Sequence, residues 1–177
     1  MVWNLVLRLK NKTIIGTKWV FRNKLNESGI LTRNKARLVV QCYNQEEGID
    51  YEETFAPVVR TKAIRILIAF ISHMEFKLYQ IDVKSAFPNG YLKEEVYVMQ
   101  PPRFENNELP SHVFKLDKAL YGLKQAPRAW YEWLSNFLLE NGFRSGKVDT
   151  TLFLKTKGEH LLIVQVYVDD IILWGNT

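Results

Sequence analysis

Cysteine, histidine and long apolar runs are scarce in this sequence, and each scarcity excludes a class of protein. The 177-residue chain has a single cysteine, Cys42, which excludes an intrachain disulfide framework and a cysteine-based zinc site and suits a reducing compartment. Its three histidines, His73, His112 and His160, are scattered without the spacing of metal ligands. No apolar run reaches the ~20 residues that a membrane-spanning helix needs, and the N-terminus lacks the pattern of a signal peptide. We therefore expect a soluble, intracellular protein.

The composition is that of a folded protein. Hydrophobic residues make up 47% of the chain and aromatic residues 13%, which is ample for a packed core. The length allows one domain, or a large domain with a small lobe. A net charge of +5 favours anionic partners mildly but does not specify nucleic acid. The sequence stops directly after an apolar strand, so we expect a fragment of a longer protein.

Hairpins and helices are mixed without regular strand–helix alternation. A first hairpin is predicted from Lys18–Lys24 and Ile30–Val40, with Gly29 at its turn. One helix is predicted from about Lys62 to Met74, capped by Thr61, and a second has Pro127 in its first turn and Gly142 just beyond its end. Further strands are predicted at Phe76–Val83, Glu95–Met99, Pro110–Asp117, Thr151–Lys155, Leu161–Val168 and Ile171–Trp174. This order predicts an α+β domain with an antiparallel sheet.

The second arm of the first hairpin carries Arg33, Lys35 and Arg37 at a spacing of two residues. In a strand this spacing places the three cations on one face. They form either an ordinary solvated face or a row of phosphate contacts that follows a polyanion or holds a triphosphate.

Two adjacent acids, Asp169 and Asp170, interrupt an apolar stretch that runs from Val164 to Trp174. We interpret the stretch as two strands joined by a two-residue connection made of the acids. Tight hairpins prefer Asn-Gly or Asp-Gly at this place, and two neighbouring carboxylates repel each other. A divalent cation would remove the repulsion, whereas the alternative is a solvated surface turn.

Asp82 is the best candidate for a third carboxylate, because it also ends an apolar strand. Adjacent strands lie about 5 Å apart, so three carboxylates on neighbouring strand ends can hold two Mg²⁺ ions about 3.5–4 Å apart. Such a pair of ions supports in-line transfer of a phosphoryl group to a hydroxyl. Glu52, Glu53, Glu94 and Glu95 compete for this role, but they lie in polar segments.

Five blocks of this sequence resemble, in order and over essentially the whole chain, the reverse transcriptase of copia-type LTR retrotransposons. They are Lys35-Ala-Arg-Leu-Val-Val-Gln, Gly48-Ile-Asp-Tyr-Glu-Glu-Thr-Phe-Ala-Pro, Asp82-Val-Lys-Ser-Ala-Phe, Leu120-Tyr-Gly-Leu-Lys-Gln-Ala-Pro-Arg-Ala-Trp and the YxDD box, Tyr167-Val168-Asp169-Asp170. The resemblance implies an RNA-directed DNA polymerase fragment of a Pol polyprotein. It also implies a right-hand fold: a palm with a ferredoxin-like core, a fingers hairpin and no thumb. Residues 1–75 would be mainly fingers and 76–177 mainly palm, with fingers elements within 88–125.

The same resemblance implies the site. Asp82, Asp169 and Asp170 would be the catalytic, metal-binding triad, with the backbone of Val83 as a further metal or triphosphate contact. Lys35 and Arg37 would hold the triphosphate, with Lys24 and Arg33 as alternatives, Phe87 would exclude a ribose 2′-hydroxyl, and Gln125 would contact the nucleotide or template. The implied cofactor is two Mg²⁺ ions, for which Mn²⁺ could substitute. The implied partners are dNTPs and an RNA or DNA template with its primer, without a membrane, in the cytoplasm within virus-like particles or in the nucleus.

Two departures from the family argue for weak activity. Pro88 stands where the family usually has leucine, and it removes an N–H donor and disfavours helical geometry at Phe87. Cys42 stands where the family usually has glycine, which would cost about 1–2 kcal/mol if that position required a positive φ. With the primer grip and thumb also missing, we expect little activity from this chain alone.

The alternative is a non-catalytic remnant that at most binds nucleic acid. A two-metal nuclease or a nucleotidyl cyclase is disfavoured by the ordered blocks.

Overall fold

The computed structural model describes residues 1–176, which form eleven β-strands and two α-helices. The strands are β1 (Trp3–Leu7), β2 (Ile14–Ile15), β3 (Thr17–Leu25), β4 (Leu31–Val40), β5 (Lys77–Asp82), β6 (Tyr91–Val98), β7 (His112–Lys118), β8 (Arg144–Ser145), β9 (Leu152–Lys157), β10 (His160–Tyr167) and β11 (Asp170–Gly175). The helices are α1 (Thr61–His73) and α2 (Ala126–Glu140). None of the helices in this range is long and apolar enough to cross a membrane. The expected α+β class, with sheets predominating and two helices, is confirmed.

The strands form three sheets. Five strands pair in the order β5-β11-β10-β9-β8, and every pairing in this sheet is antiparallel. Four strands pair in the order β1-β7-β6-β2, while β3 and β4 form a separate hairpin. All six residues of β5 are exposed, and this strand forms one edge of the five-stranded sheet. The edge position of β5 places Asp82 at an open margin of the sheet.

The β3–β4 hairpin separates charged from uncharged side chains. Residues directly opposite in an antiparallel pair project from the same face, and here Arg22 is opposite Lys35 and Lys24 is opposite Arg33. One face therefore carries six cations, which are Lys18, Arg22, Lys24, Arg33, Lys35 and Arg37. The other face carries no charge and includes Trp19 and Phe21. Like charges placed opposite each other destabilise a strand pair, so binding of an anion to the cationic face would stabilise the hairpin.

Helix α2 packs against the five-stranded sheet and also against the segment that precedes β6. Its buried residues Trp130, Leu134 and Leu138 join a core cluster with Phe153 and Val164 of the sheet. The α2 backbone approaches Gly90 so closely that a Cβ at Gly90 would lie 2.4 Å from the carbonyl carbon of Ala129. Glycine is therefore needed at this position because any side chain would push the helix away.

Two local expectations were wrong in detail, and the condition set for a third is not met. Helix α1 begins at Thr61 with Arg60 as its N-cap, whose carbonyl accepts backbone hydrogen bonds, so Thr61 does not cap the helix with its side chain. Phe87 lies at the start of a 3₁₀ turn, Phe87–Asn89, which accommodates Pro88 because the N-terminal positions of such a turn need no N–H donor. Cys42 has no positive φ, so it carries no backbone strain there.

A small ionic cluster ties β6 to the neighbouring segments. The Glu95 carboxylate is 2.5 Å from Lys12 Nζ and 2.9 Å from Lys115 Nζ, and the Tyr97 hydroxyl donates to it at 2.8 Å. The hydrogen bonds from Lys12, then Lys115, then Tyr97 lower the pKa of Glu95 from 4.5 to about 2. The Glu95 carboxylate is therefore a group that stabilises this part of the fold only while it is ionised.

We expect the contribution of Glu95 to stability to disappear in acid. A group whose pKa is lower in the folded than in the unfolded chain stabilises the fold fully above the unfolded pKa and loses that effect as the pH falls through the folded pKa. The loss should therefore occur between pH 4.5 and about 2. Urea denaturation across this range should show a smaller pH dependence for Glu95→Gln than for the unmodified chain. Equal pH dependence would contradict the assignment; Glu108→Gln is the control, because Glu108 has no ion pair among residues 1–176.

Candidate active site

The turn between β10 and β11 places the two acids differently from the sequence prediction. Tyr167 pairs with Asp170, so the connection consists of Val168 and Asp169, and Asp170 is the first residue of β11. Val168 has a φ of +52°, a conformation that costs a side-chain-bearing residue about 1–2 kcal/mol. The indole N–H of Trp130 donates to the Val168 carbonyl at 2.6 Å. Helix α2 therefore holds the turn in a strained conformation.

Removing the indole donor should loosen this turn. We expect Trp130→Phe to lower the free energy of unfolding by about 1 kcal/mol more than Trp133→Phe, since only the first substitution leaves the Val168 carbonyl without its partner. The indole of Trp133 stacks on Trp130 at 5.5 Å and makes no hydrogen bond among the described residues, so Trp133→Phe is the matched control. Urea denaturation measures both variants, and equal losses would show that the hydrogen bond has no effect.

Pairing of β5 with β11 brings the first carboxylate to the turn. Asp82 is directly opposite Asp170, and such partners have Cβ atoms about 4.5–5.5 Å apart on one face of the sheet. The N–H of Val83 donates to the Asp169 carbonyl at 2.8 Å. The Nε2 atom of Gln80 donates to Asp170 Oδ1 at 3.3 Å. The end of β5 and the acidic turn are thus joined by backbone pairing and by one side-chain hydrogen bond.

The carboxylates fit a Mg²⁺ site by chemistry, although they do not form a preassembled three-ligand group. Within residues 1–176 no cluster of three or more His, Cys, Asp and Glu side chains is arranged to hold a metal ion. However, Mg²⁺ takes only one or two protein carboxylates, together with waters and substrate phosphates. Asp82 and Asp169 line one cleft, and that pair meets this requirement.

The cleft has a volume of about 630 Å³ and lies between the cationic face of the hairpin and the acidic turn. Its lining residues include Lys24, Arg33, Lys35 and Arg37 from the hairpin, Asp82, Val83, Lys84 and Ser85 from the end of β5 and beyond, and Tyr121 and Asp169. Ion pairs in the described part of the chain involve Lys12, Lys93 and Lys115, so no acid neutralises the hairpin cations. The cleft therefore combines an acidic side with a basic side that has a free positive charge.

Tyr121 connects the two sides of the cleft. The guanidinium carbon of Arg37 lies 5.2 Å from the centre of its ring, and the Phe87 ring lies 4.8 Å from it. The N–H of Val40 donates to the Tyr121 carbonyl at 2.7 Å, which fastens the end of β4 to this residue. Burial raises the pKa of the Tyr121 phenol, Arg37 lowers it in part, and the Asp169 carboxylate raises it further. The phenol is therefore within the electrostatic influence of both Arg37 and Asp169.

The remaining predicted site residues lie outside the lining of the cleft. Phe87 is half-buried and packs between two core clusters beneath Tyr121. Gln125 is 2% exposed; its Nε2 donates to the Asp50 carbonyl, and its Oε1 accepts from Gln45. The structure therefore brings Lys35, Arg37, Asp82, Val83 and Asp169 together in the cleft lining. Asp170 lies beside Asp82 but outside that lining, Phe87 packs beneath Tyr121, and Gln125 belongs to a buried amide network.

Two residues that contact the site were missed by reasoning from the sequence. Trp130 received no role in the sequence analysis; it is a core residue of α2, and its indole N–H also donates to the turn. Tyr121 lies inside a block that carries the family resemblance, and its place in that block was the one feature of the sequence that could have marked it as a site residue. The Trp130 bond had no local signal because its partner lies 38 residues away.

Comparison with known proteins agrees with the sequence resemblance. The family described as reverse transcriptase (RNA-dependent DNA polymerase) matches residues 1–177. The Retrovirus-related Pol polyprotein from transposon RE1 of Arabidopsis thaliana is 48% identical over 164 residues, which are 93% of this chain and 11% of that polyprotein. The corresponding polyprotein from transposon TNT 1-94 of Nicotiana tabacum is 39% identical over 175 residues, 98% of this chain and 13% of its own length.

A more distant relative is the Transposon Ty1-H Gag-Pol polyprotein of Saccharomyces cerevisiae, 25% identical over 171 residues, 93% of this chain and 9% of that polyprotein. The chain thus spans only about a tenth of the length of these curated relatives. No solved structure matches it significantly. Because the family match covers the whole chain, the protein belongs to the reverse transcriptase (RNA-dependent DNA polymerase) family and is related to copia-type Pol polyproteins of plant transposons.

Proposed function

We propose that this chain supplies the nucleotide-binding cleft of an RNA-directed DNA polymerase, which adds dNTPs to a primer 3′-hydroxyl by two-metal nucleotidyl transfer. The observation that carries the proposal is the cleft itself. Its acidic side includes Asp82 and Asp169, and its basic side includes four hairpin cations without acidic partners. A magnesium–triphosphate complex has the matching distribution of charge, with cations and phosphates side by side.

On the acidic side, Asp82, Asp169 and Asp170 would hold Mg²⁺, with Mn²⁺ as a substitute, and the Val83 carbonyl would add a backbone ligand. When bound there, the metal would polarise the attacking hydroxyl and neutralise charge on the triphosphate. The contribution of the protein itself is to position the three acidic residues. The ladder that pairs Asp82 with Asp170, and the bond from Val83 N–H to the Asp169 carbonyl, fix the backbone positions of the three acids relative to each other before a ligand arrives.

On the basic side, Lys35 and Arg37 are the principal candidates to hold the triphosphate, and Lys24 and Arg33 stand beside them on the same face. An incoming triphosphate would relieve the repulsion between Lys24 and Arg33, which are directly opposite each other. Phosphate binding and hairpin stability are therefore coupled. Phe87 would exclude the 2′-hydroxyl of a ribonucleotide from below the cleft. Gln125 would act on the nucleotide or template only through the buried amide network that holds it.

The uncharged face of the hairpin is suited to unpaired bases of the template. Phe21 is 75% exposed, and the ring of Trp19 lies 5.4 Å from Phe104, which is 70% exposed. Exposed aromatic rings hold single-stranded nucleic acid by stacking, without sequence preference, and the cations that would attract its backbone lie on the opposite face of the same hairpin. In this arrangement the hairpin and the four-stranded sheet are the fingers, and the five-stranded sheet with α2 is the palm. The same proposal places the protein in cytoplasmic particles or in the nucleus.

A second function remains in consideration because Pro88 departs from the family pattern beside Phe87. In that alternative the chain is a folded remnant that at most binds nucleic acid. A nuclease would instead cleave the template, and a cyclase would release a cyclic nucleotide.

Primer extension with Mg²⁺ and a labelled primer on an RNA template separates these functions. The polymerase proposal predicts templated addition of dNTPs that stops when the metal is chelated. The test should use the 177-residue chain and, in parallel, a chimera in which this chain replaces the matching 164 residues of the RE1 polyprotein. Extension by neither protein, in conditions where the unmodified RE1 polyprotein is active, would favour the remnant.

A further inference from the structure

Tyr121 is joined to three different parts of the cleft, and none of the five roles implied by the family falls on it. Its ring contacts both the Arg37 guanidinium and the Phe87 ring. Its carbonyl accepts the N–H of Val40 at the base of the hairpin. The residue lines the cleft itself and is only half-buried, so its phenol faces the space where a nucleotide would lie.

Arg37 depends on this contact because no acid fixes its position. Ion pairs within residues 1–176 leave all the hairpin cations without a carboxylate partner. A flexible cation loses conformational entropy when it grips a phosphate, and this loss is smaller if the side chain is held in place beforehand. The ring of Tyr121 supplies such a hold without neutralising the charge, since a guanidinium over an aromatic face remains a full cation.

Phe87 depends on Tyr121 for a different reason. It begins a one-turn 3₁₀ segment that includes Pro88, and its ring meets that of Tyr121 at 54° with centres 4.8 Å apart. Tilted aromatic pairs at this separation are attractive. Tyr121 lines the cleft and Phe87 packs against its ring, so loss of that ring would shift Phe87 relative to the sugar of a bound nucleotide.

We propose that Tyr121 is a positioning residue that holds Arg37 for the triphosphate and Phe87 for the sugar, so that phosphate affinity and sugar discrimination both depend on its ring. This inference rests on the proposed nucleotide-binding function. It assigns the main effect to the aromatic ring, which makes both contacts, whereas of these two residues the hydroxyl interacts with Arg37 alone.

Calorimetric titration of the 177-residue chain with dATP, ATP and dAMP in excess Mg²⁺ tests the inference. We expect Tyr121→Leu to weaken dATP binding about fivefold, with a much smaller effect on dAMP, which lacks the phosphates that Arg37 would bind. Arg37→Ala should weaken dATP binding to a similar extent, and the double variant should lose less than the product of the two single effects, because both act through one contact. Tyr121→Phe should stay within about twofold of the unmodified chain because the ring remains.

Sugar discrimination gives an independent readout. The ratio of dATP to ATP affinity should fall in Tyr121→Leu and stay unchanged in Arg37→Ala, since only the first variant removes the neighbour of Phe87. Tyr91→Leu is the matched control: the Tyr91 ring also lies under a cation, Lys118 Nζ at 4.8 Å, but outside the cleft. Circular dichroism reports folding, and Tyr121→Met replaces Tyr121→Leu if the latter unfolds.

The outcomes separate the two proposals. Failure of the unmodified chain to bind dATP would overturn the nucleotide-binding function and this inference together. Binding by the unmodified chain with unchanged affinity and unchanged sugar discrimination in Tyr121→Leu would overturn the inference alone. Multiplicative losses in the double variant would overturn the role through Arg37, and an equal loss in Tyr121→Phe would shift the effect from the ring to the hydroxyl.

Discussion

Asp169→Asn should abolish nucleotide addition while leaving the fold at least as stable as before. Asp169 lines the cleft with Asp82, and its carbonyl is held by Val83 N–H, a backbone bond that the substitution retains. Losing one of the carboxylates proposed to bind the metal would remove several kcal/mol of charge stabilisation, and about 4 kcal/mol corresponds to a rate loss on the order of a thousandfold. Stability should hold or rise, because one of three neighbouring negative charges disappears.

The measurement pairs primer extension by the RE1 chimera with thermal unfolding of the 177-residue chain. Asp117→Asn is the control: Asp117 accepts a hydrogen bond from Asn4, which an asparagine oxygen can also accept, and it lies outside the cleft. A thousandfold loss together with preserved stability would separate a chemical role from a structural one. Retention of activity in Asp169→Asn would refute the metal-binding assignment.

Gly122→Ala should be among the most destabilising single substitutions in the chain. Gly122 has a φ of +95°, and a Cβ there would lie 2.1 Å from the Val40 carbonyl oxygen, which belongs to the backbone of β4 and cannot move independently. The conformation alone costs about 1–2 kcal/mol, and the displacement of packed backbone typically adds about 1–3 kcal/mol. We therefore expect a loss of about 2–5 kcal/mol in the free energy of unfolding.

Gly158→Ala separates these two contributions. Gly158 also has a positive φ, +61°, but a Cβ there would meet nothing within 4 Å, so only the conformational cost applies. Urea denaturation of both variants gives the difference, which we assign to the close approach of β4. If the two substitutions cost the same, β4 does not depend on the contact at Gly122, and the hairpin is not held as the structure indicates.

The sequence predicted the acidic turn well, because the pattern of apolar residues in a strand can be recognised without knowing the tertiary structure. Apolar residues on both sides of Asp169 and Asp170 predicted a hairpin, and the strand ending near Asp82 predicted a neighbour for it. The structure pairs Asp82 with Asp170 across adjacent strands. The predicted position of the turn was wrong by one residue, because we assumed that Asp169 and Asp170 formed the connection between the strands. Instead Val168 takes the positive φ, held by a hydrogen bond from a distant helix that periodicity could not reveal.

Residues held by long-range polar contacts were the hardest to predict. Gln125 belongs to a family block and was assigned to the nucleotide, yet its amide is bonded to Gln45 and Asp50, about 80 positions earlier in the chain. The role proposed for Tyr121 depends on three contacts made by elements remote in sequence. By contrast, the period-two cations of the hairpin were found because the alternation of side chains along a single strand decides which face they share, and the structure places them on one face.

The open margin formed by β5 has a consequence for handling the isolated chain. Leu78, Tyr79 and Ile81 are each about half exposed along a strand that has unsatisfied backbone donors and acceptors on its outer side. Such a margin recruits further strands, including those of identical molecules. We therefore expect concentrated solutions of the chain to form intermolecular sheet, so dilute samples suit the binding measurements above.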